Sequence, residues 1–504
     1  MRIVYIDIDS LRPDRLGCYG YHRDTSPHID RIAAAGVRFD QYYTPDAPCL
    51  PSRTAFYSGR FGIQTGVVVH GYAAAEPRRE RLHRGFRDRF EADGLAARLQ
   101  GLGFHTAMVS PFGQRHAAHW FYAGFNEVHN TGKGGMESAE EIRPPLDRWL
   151  SANAAADGWY LHVNFWDPHT PYRAPASFGD PFADAPLPAH LDDDALIARH
   201  VKMTGPHTAM DVGMYTDGDP VRWPREVARI TDRASMRRWV DGYDTGVRYA
   251  DEYVGRLVAH LERAGVYDDT AIIVSADHGE NEGELGIYGE HGTADVGTCR
   301  IPMIVKWPGG RQGAVDAALR YNLDWAPTLM DLLGGEPAAI WDGASYAAAV
   351  TGGPAPGRDD LVLGQCAHVC QRSVRWGDWL YVRTYHDGFR LFPPEMLFDL
   401  ATDLYEQHDV APRRADVCRE GAWRLARWHD AQMQRLATTA AAAGGGDVGD
   451  PLWTVIRDGG PFHATHAPGR SPLPKYLRRL EQTGRADGAA ALRMKYAAHL
   501  PADA

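Results

Sequence analysis

Cys49-Leu50-Pro51-Ser52-Arg53 places a thiol, a helix-starting proline and a guanidinium within one short run. Pro51 presets φ just inside a helix, with Ser52 and Arg53 following in its first turn. Free backbone N–H groups and the positive end of the helix dipole would then face an anion held beside Cys49. A buried structural cysteine before an ordinary helix has the same local look, so the rest of the chain must decide. A second set of groups points the same way. Asp7 and Asp9 end the first apolar run, Asp277-His278-Gly279 ends the run through Ile272–Val274, and His169 in Trp166-Asp167-Pro168-His169-Thr170-Pro171 follows a third. In an open α/β sheet ligands gather at the carboxyl ends of the strands. Alternation puts Asp7 and Asp9 on one face, with Asp9 further out at the rim. Carboxylates from two strand ends with an imidazole would hold a divalent cation through mostly oxygen ligands.

The elements that must position these groups are short buried strands separated by helices. Ile3–Ile8 is apolar on both faces and β-branched, as in a buried parallel strand. Similar runs recur at Thr106–Val109, Tyr160–Phe165, Ala271–Val274 and Met303–Val305. Ser26-Pro27 is an N-cap and N1 pair for a helix reaching Ala35, and apolar residues at helical spacing run from about Met236 to Ala264. Strands alternating with helices imply an α/β sandwich around a largely parallel sheet. Residues 171–228, rich in Pro, Asp, Ala and His, are too long for a plain connection and read as an insertion shaping substrate access. Past about residue 355 short strands appear, at Arg372–Arg375 and Trp379–Arg383, followed by a helix from roughly Asp416 to Thr438. Residues 437–446 read as a helix end fraying into a linker. The tail beyond, with Trp453, Phe462 and Tyr476, is too aromatic for simple disorder and is expected to dock on this subunit or a neighbour, which makes a homo-oligomer plausible. The expected layout is a catalytic α/β domain over 1–355, a smaller α+β subdomain over 356–440 and a docking tail over 447–504.

Composition bounds the function. A chain of 504 residues with 44% hydrophobic residues suits a large globular enzyme, and a formal charge of −11 argues against a nucleic-acid partner. Six cysteines in this length do not make a disulfide framework. The opening Ile3–Asp9 run is too short and acidic for a signal h-region, and no apolar run approaches membrane-spanning length. The expectation is a soluble, reduced, cytoplasmic protein with no membrane partner.

Cys49-x-Pro-Ser-Arg, continued as Thr54-Ala55-Phe56-Tyr57-Ser58-Gly59-Arg60, resembles the signature of the type I sulfatases. The resemblance spans most of the chain. Asp9-Ser10-Leu11-Arg12-Pro13-Asp14 resembles their first block, Ser275-Ala276-Asp277-His278-Gly279-Glu280 the late metal block, and Gly289-Glu290-His291-Gly292-Thr293 the block after it. Leu397-Phe398-Asp399-Leu400 resembles a phrase of their C-terminal subdomain. The fold it implies is the alkaline-phosphatase-like α/β sandwich, with a large mixed, mostly parallel sheet and a smaller C-terminal α+β subdomain. The chemistry it implies is hydrolysis of a sulfate monoester, an aryl sulfate or sulfated sugar, through a covalent sulfo-enzyme formed on formylglycine. That aldehyde derives from Cys49 through a formylglycine-generating enzyme. Asp9, residue 49, Asp277 and His278 would hold the cation, calcium in the first place and manganese or another metal in relatives with fewer acids. Arg53 would support the formylglycine, His291 would contact the sulfate and assist the leaving group, and His169 would be an anion contact or second acid.

Two departures bear on this. Ser10 stands where many sulfatases have a second Asp, and Ser110-Pro111-Phe112-Gly113-Gln114-Arg115-His116 replaces an expected Gly-Lys-Trp-His block. Arg115 and His116 are the candidates for the missing substrate-binding charge, with a structural role the alternative. Ser10 and His278 lean towards the rival reading, a phosphonate monoester or phosphodiester hydrolase of the same superfamily. An inactive relative binding anionic glycans is the third possibility. Cys366-Ala367-His368-Val369-Cys370 lacks the distal Cys/His pair that a structural zinc site needs.

Overall fold

The computed structural model describes residues 1–71, 73–79, 89–208, 210–211, 223–442, 445–461 and 472–500. Its centre is an eight-stranded sheet in the order Ala314–Asp316, Val37–Phe39, Met303–Lys306, Thr270–Ser275, Arg2–Ile8, Trp159–Phe165, His105–Val109, Glu127–His129. Met303–Lys306 runs antiparallel to both its neighbours, and every other pairing is parallel. All five apolar runs expected to be strands lie in this sheet. Their continuous hydrophobicity follows from burial on both faces.

Alternation along the strands sorts the two faces. Tyr5 and His162 turn to the helix Cys49–Ser58, where Tyr5 lies 4.6 Å from Phe56 and His162 5.6 Å from Tyr57. Phe165, of opposite parity, faces the long helix Arg233–Arg263 through Tyr253. That helix starts from a capping box in which the Ser235 N–H donates to Asp232 Oδ1 at 2.7 Å. The earlier helix spans Pro27–Ala34, but the Ser26 hydroxyl does not cap it. It accepts from the Gly17 N–H and donates to Asp30 instead.

A second sheet is built from Asp360–Gln365, Cys370–Trp376, Trp379–His386 and Glu395–Asp399, all antiparallel, with the helix Ala415–Ala442 against it. That helix continues four residues past the expected Thr438 end. The two-residue strand Asp46–Ala47 joins the sheet in parallel with Asp360–Gln365. The segment leading into Cys49 is thereby tied to the second sheet.

Residues 171–228 hold a short helix, Asp194–His200, among irregular backbone, with 209 and 212–222 outside the described residues. Among the described residues the tail holds three α-helices, Pro451–Arg457, Leu473–Gln482 and Ala486–Lys495, and a 3-10 turn at Ala497–His499. They pack on their own subunit: the Tyr476 hydroxyl donates to Thr204 O, and Arg479 pairs with Asp211 at 2.8 Å. Phe462 lies outside the described residues. Among the described residues, no helix is long and apolar enough to cross a membrane.

Candidate active site

The carboxyl ends of three adjacent parallel strands bring the expected residues together. Arg2–Ile8 contains Asp7 and is followed at once by Asp9, whose N–H donates to Phe165 O at 2.9 Å. Ser10 then turns the chain sharply with φ at 60°, and its N–H donates to Asp277 Oδ1 at 3.3 Å. Asp277 and His278 follow the Thr270–Ser275 strand, and His169 follows Trp159–Phe165. Donor atoms of Asp9, Cys49, Asp277 and His278 all lie within 4.8 Å of one another, as do those of Cys49, His169, His278 and His291, and all six residues are buried.

Cys49 is itself the first residue of its helix, so Pro51 sits in the third position, two residues further in than expected. The first helical bond runs from the Ser52 N–H to Pro48 O at 3.0 Å. Proline in the first turn costs nothing, because that N–H has no partner within the helix. The His278 Nδ1–H donates to Gly279 O at 2.7 Å, which leaves the Nε2 lone pair facing Cys49 Sγ at 3.1 Å. Ser52 Oγ donates to Asp277 O, and Asn322 Nδ2 donates to Ser52 Oγ at 3.1 Å.

Arg53 is the hub. Its Nε donates to Asp7 Oδ2 at 2.7 Å, its Nη1 donates to Asp277 Oδ2, and the same Nη1 lies 3.1 Å from Asp9 Oδ2. The guanidinium carbon stacks 4.4 Å from the centre of the Phe112 ring. Asp7 also faces His162 Nε2 at 3.6 Å. Arg115 Nη1 donates to Gly134 O and Gly135 O at 3.2 and 3.3 Å, and its guanidinium lies over Trp166. His116 lies between Phe112 and His70, with ring centres at 4.7 and 4.8 Å.

Three buried carboxylates thus share one guanidinium, and their titration shows the imbalance. Burial pushes Asp277 up to about 6, with Arg53 opposing and Asp9 adding to the rise. Asp9 goes the other way: burial opposes, but Arg53 and then His169 hold it well below the usual carboxylate range. Burial, with Asp9 and Asp277, drives the Cys49 thiol up. Burial also pushes His169 down to about 3 and His291 well below the ordinary imidazole value. Several buried atoms have no hydrogen-bond partner: Asp9 Oδ2, Arg53 Nη2, His169 Nε2 and His291 Nδ1. A surplus of buried negative charge beside converging orphan donors fits a divalent cation with an anion next to it.

Sequence reasoning missed Asn322, His70 and His368. Asn322 sits ahead of Trp325–Leu332 in a stretch with no motif. His368 was noticed only as part of the Cys366–Cys370 run. Among the described residues, neither cysteine belongs to a group that could share a cation, whereas His368 lies beside Glu290 and His291.

The family model described as Sulfatase matches residues 2–335. A choline-sulfatase of Rhizobium meliloti is 26% identical over 90% of this chain and 91% of its own length. An N-acetylglucosamine-6-O-sulfatase of Bacteroides thetaiotaomicron is 25% identical over 68% and 69%. The solved phosphonate monoester hydrolase of Agrobacterium radiobacter superposes with a TM-score of 0.65 at 20% identity, over 86% of this chain and 96% of that one, and shares the alkaline-phosphatase-like fold. With the expected motif residues converging on one buried centre and the family model covering most of the chain, the protein belongs to the sulfatase family of the alkaline phosphatase superfamily and is a sulfuric ester hydrolase.

Proposed function

We propose that the protein hydrolyses a sulfate monoester at residue 49, matured from cysteine to formylglycine, beside a divalent cation held by Asp9, residue 49, Asp277 and His278. The observation that carries this reading is the convergence of those four donors within 4.8 Å, all buried, around a surplus of carboxylate. When bound there, the cation supplies Lewis acidity to an ester oxygen, and the hydrated aldehyde supplies an oxygen nucleophile and a route to release sulfate. Calcium is the first choice for the two carboxylates; the imidazole nitrogen of His278 makes manganese the alternative. Arg53 holds Asp7, Asp9 and Asp277 in place, and its unpartnered Nη2 is free for a sulfate oxygen. His169 and His291 line the same space with unpartnered ring nitrogens and are proposed to hold the remaining oxygens. Arg115, fixed over Trp166, is proposed to add positive charge at the entrance, with His116 beside it.

A formylglycine-generating enzyme is the maturation partner this reading needs. A sulfated sugar is the substrate class proposed, supported by the N-acetylglucosamine-6-O-sulfatase relative. All six cysteines are unpaired, which supports a reducing, cytoplasmic setting. The decisive measurement is the mass of the peptide carrying residue 49. An aldehyde is expected in active protein, and an unmodified thiol throughout fully active protein would sink the reading. A second reading, phosphonate monoester hydrolysis, is favoured by Ser10 and by the fold shared with the Agrobacterium enzyme. Ranking kcat/KM on matched aryl sulfates, phosphonates and phosphodiesters separates the two.

A further inference from the structure

The departing alcohol needs a proton, and the histidines around residue 49 are not equally placed to give one. This inference rests on the sulfatase reading above. In-line displacement puts the leaving oxygen on the side away from the nucleophile. Cys49, His169, His278 and His291 are buried and make the floor of the site. His70, His116 and His368 are half-buried and lie at its edge, His368 next to His291. Ring centres are 4.8 Å apart for His70 and His116, 6.3 Å for His70 and His368, and 5.4 Å for His291 and His368. These three half-buried rings are the candidates to meet a leaving alcohol on the exposed side of the site.

The polar partners distinguish the three. The Leu50 N–H points at His70 Nε2 at 3.5 Å, so that nitrogen is an acceptor. Among the described residues, His70, His116 and His291 have no carboxylate at ion-pair distance, whereas His368 Nδ1 lies 2.8 Å from Glu290 Oε2. Glu290 is fully buried, with Arg390 Nη2 3.8 Å from the same oxygen. Burial opposes its ionisation, yet His368 and Arg390 hold it below the usual range, so it stays a carboxylate. The backbone of His368 is fixed as well. Gln365 Nε2 donates to His291 O at 2.8 Å, and Gln365 Oε1 accepts from the N–H groups of Ala367 and His368 at 2.6 and 3.1 Å. Arg390 Nη1 donates to His368 O at 3.0 Å. The turn between two strands of the second sheet therefore presents one imidazole on a fixed backbone, with its Nδ1 at ion-pair distance from a carboxylate that is not shared with the cation site.

We propose that His368 is the catalytic acid and that Glu290 is its positioning residue. As the sulfur–oxygen bond breaks, its electron pair goes to the leaving oxygen. The Nε2 proton of His368 moves to that oxygen, giving the free alcohol and a neutral imidazole beside the Glu290 carboxylate. Solvent at the half-exposed edge restores the proton.

The test uses the full-length matured enzyme with 4-nitrophenyl sulfate, whose leaving group needs little protonation, and phenyl sulfate, whose leaving group needs more. His368→Ala should lower kcat/KM on phenyl sulfate by about 100-fold or more while 4-nitrophenyl sulfate changes by less than about 5-fold. Glu290→Gln should show the same selectivity to a smaller degree, and His291→Ala should lower both substrates together. His368→Asn keeps the test open if the alanine variant does not fold. Equal loss on both substrates, no loss on either, or selective loss in His291→Ala would each overturn the proposal. A wild-type enzyme that cleaves aryl phosphonates but no aryl sulfate would break the sulfatase reading alone, and the same leaving-group comparison then runs on phosphonates.

Discussion

Arg53 and Arg485 are equally deep, each 3% exposed, but their surroundings differ in kind. Arg485, where the tail docks, uses all three nitrogens: Nη2 to Asp211 Oδ2 at 2.8 Å, Nη1 to Gly205 O at 2.8 Å and Nε to Thr483 Oγ1 at 2.9 Å. Asp211 in turn accepts from Arg479 Nε at 2.8 Å and from the His207 N–H at 2.9 Å. Arg372 and Asp450 repeat the pattern as a two-point pair at 2.8 Å for each contact, with the Leu452 N–H donating to Asp450 Oδ1 at 3.0 Å. Around Arg53, three carboxylates crowd one guanidinium and Nη2 has no partner. A network closed on itself holds elements in place. One left with surplus charge and converging orphan atoms has been kept open for something the chain does not supply.

The largest effect that would break this contrast is on the open network. Asp277→Asn should lower turnover by about 10³-fold or more, with bound cation falling in parallel, because it removes a ligand and a partner of Arg53. Its melting temperature in EDTA should be no lower than that of wild type in EDTA. Burial and Asp9 already push Asp277 up to about 6, so losing its charge relieves repulsion. A variant that keeps its activity, or melts far below wild type in EDTA, would put Asp277 among the structural pairs. The closed network should respond the opposite way. Asp211→Ala leaves the buried Arg485 without its charge partner and takes one partner from the half-buried Arg479, and should cost about 3–5 kcal/mol in denaturant unfolding. Activity per folded molecule should stay within about twofold of wild type, since Asp211 touches nothing at the cation site. Asp450→Asn should lie between, at about 2 kcal/mol or more, because Arg372 keeps a hydrogen-bond acceptor but loses its charge partner.

How much of this was legible beforehand depends on the range of the interaction. The strands and most helix positions follow from local apolar runs, and the strand-end rule placed Asp9, Asp277, His278 and His169 at one edge. Cys49 and Arg53 announced themselves through their immediate neighbours. His368 did not, because its meaning lies in Glu290, Arg390 and Gln365, brought to it from other turns and strands. The role of Arg53 as a three-carboxylate hub was hidden for the same reason: Asp7, Asp9 and Asp277 are joined only by parallel pairing across the sheet. Pro51 signals the helix, yet the helix starts two residues before it, at Cys49. Proline is tolerated anywhere in the first turn, so it marks a helix start without fixing it.

The tail-docking region contains its own exception, which sharpens the rule. His207 Nε2 is buried without a partner, beside Arg485, in a network otherwise satisfied. Burial, with Arg485 pushing the same way, lowers His207 to about 3, and burial lowers nearby His200 to about 4. Both folded values lie below the ordinary imidazole value of about 6.5, so the unfolded chain binds these protons first. Stability is therefore full above about pH 6.5, falls as pH drops below it, and levels off only once the folded imidazoles themselves protonate, near pH 3 to 4. At pH 5 the His207 shift alone corresponds to about 2 kcal/mol. Wild-type unfolding midpoints in urea should drop between pH 7.5 and pH 5, and His207→Gln should remove a good part of that drop while leaving kcat at pH 7.5 unchanged. An unchanged slope in His207→Gln would mean that His207 is not buried as a neutral imidazole. An orphan nitrogen on a group that can stay neutral needs no ligand. Only where orphans adjoin surplus fixed charge, as at Asp9 and Arg53, does the interior require one.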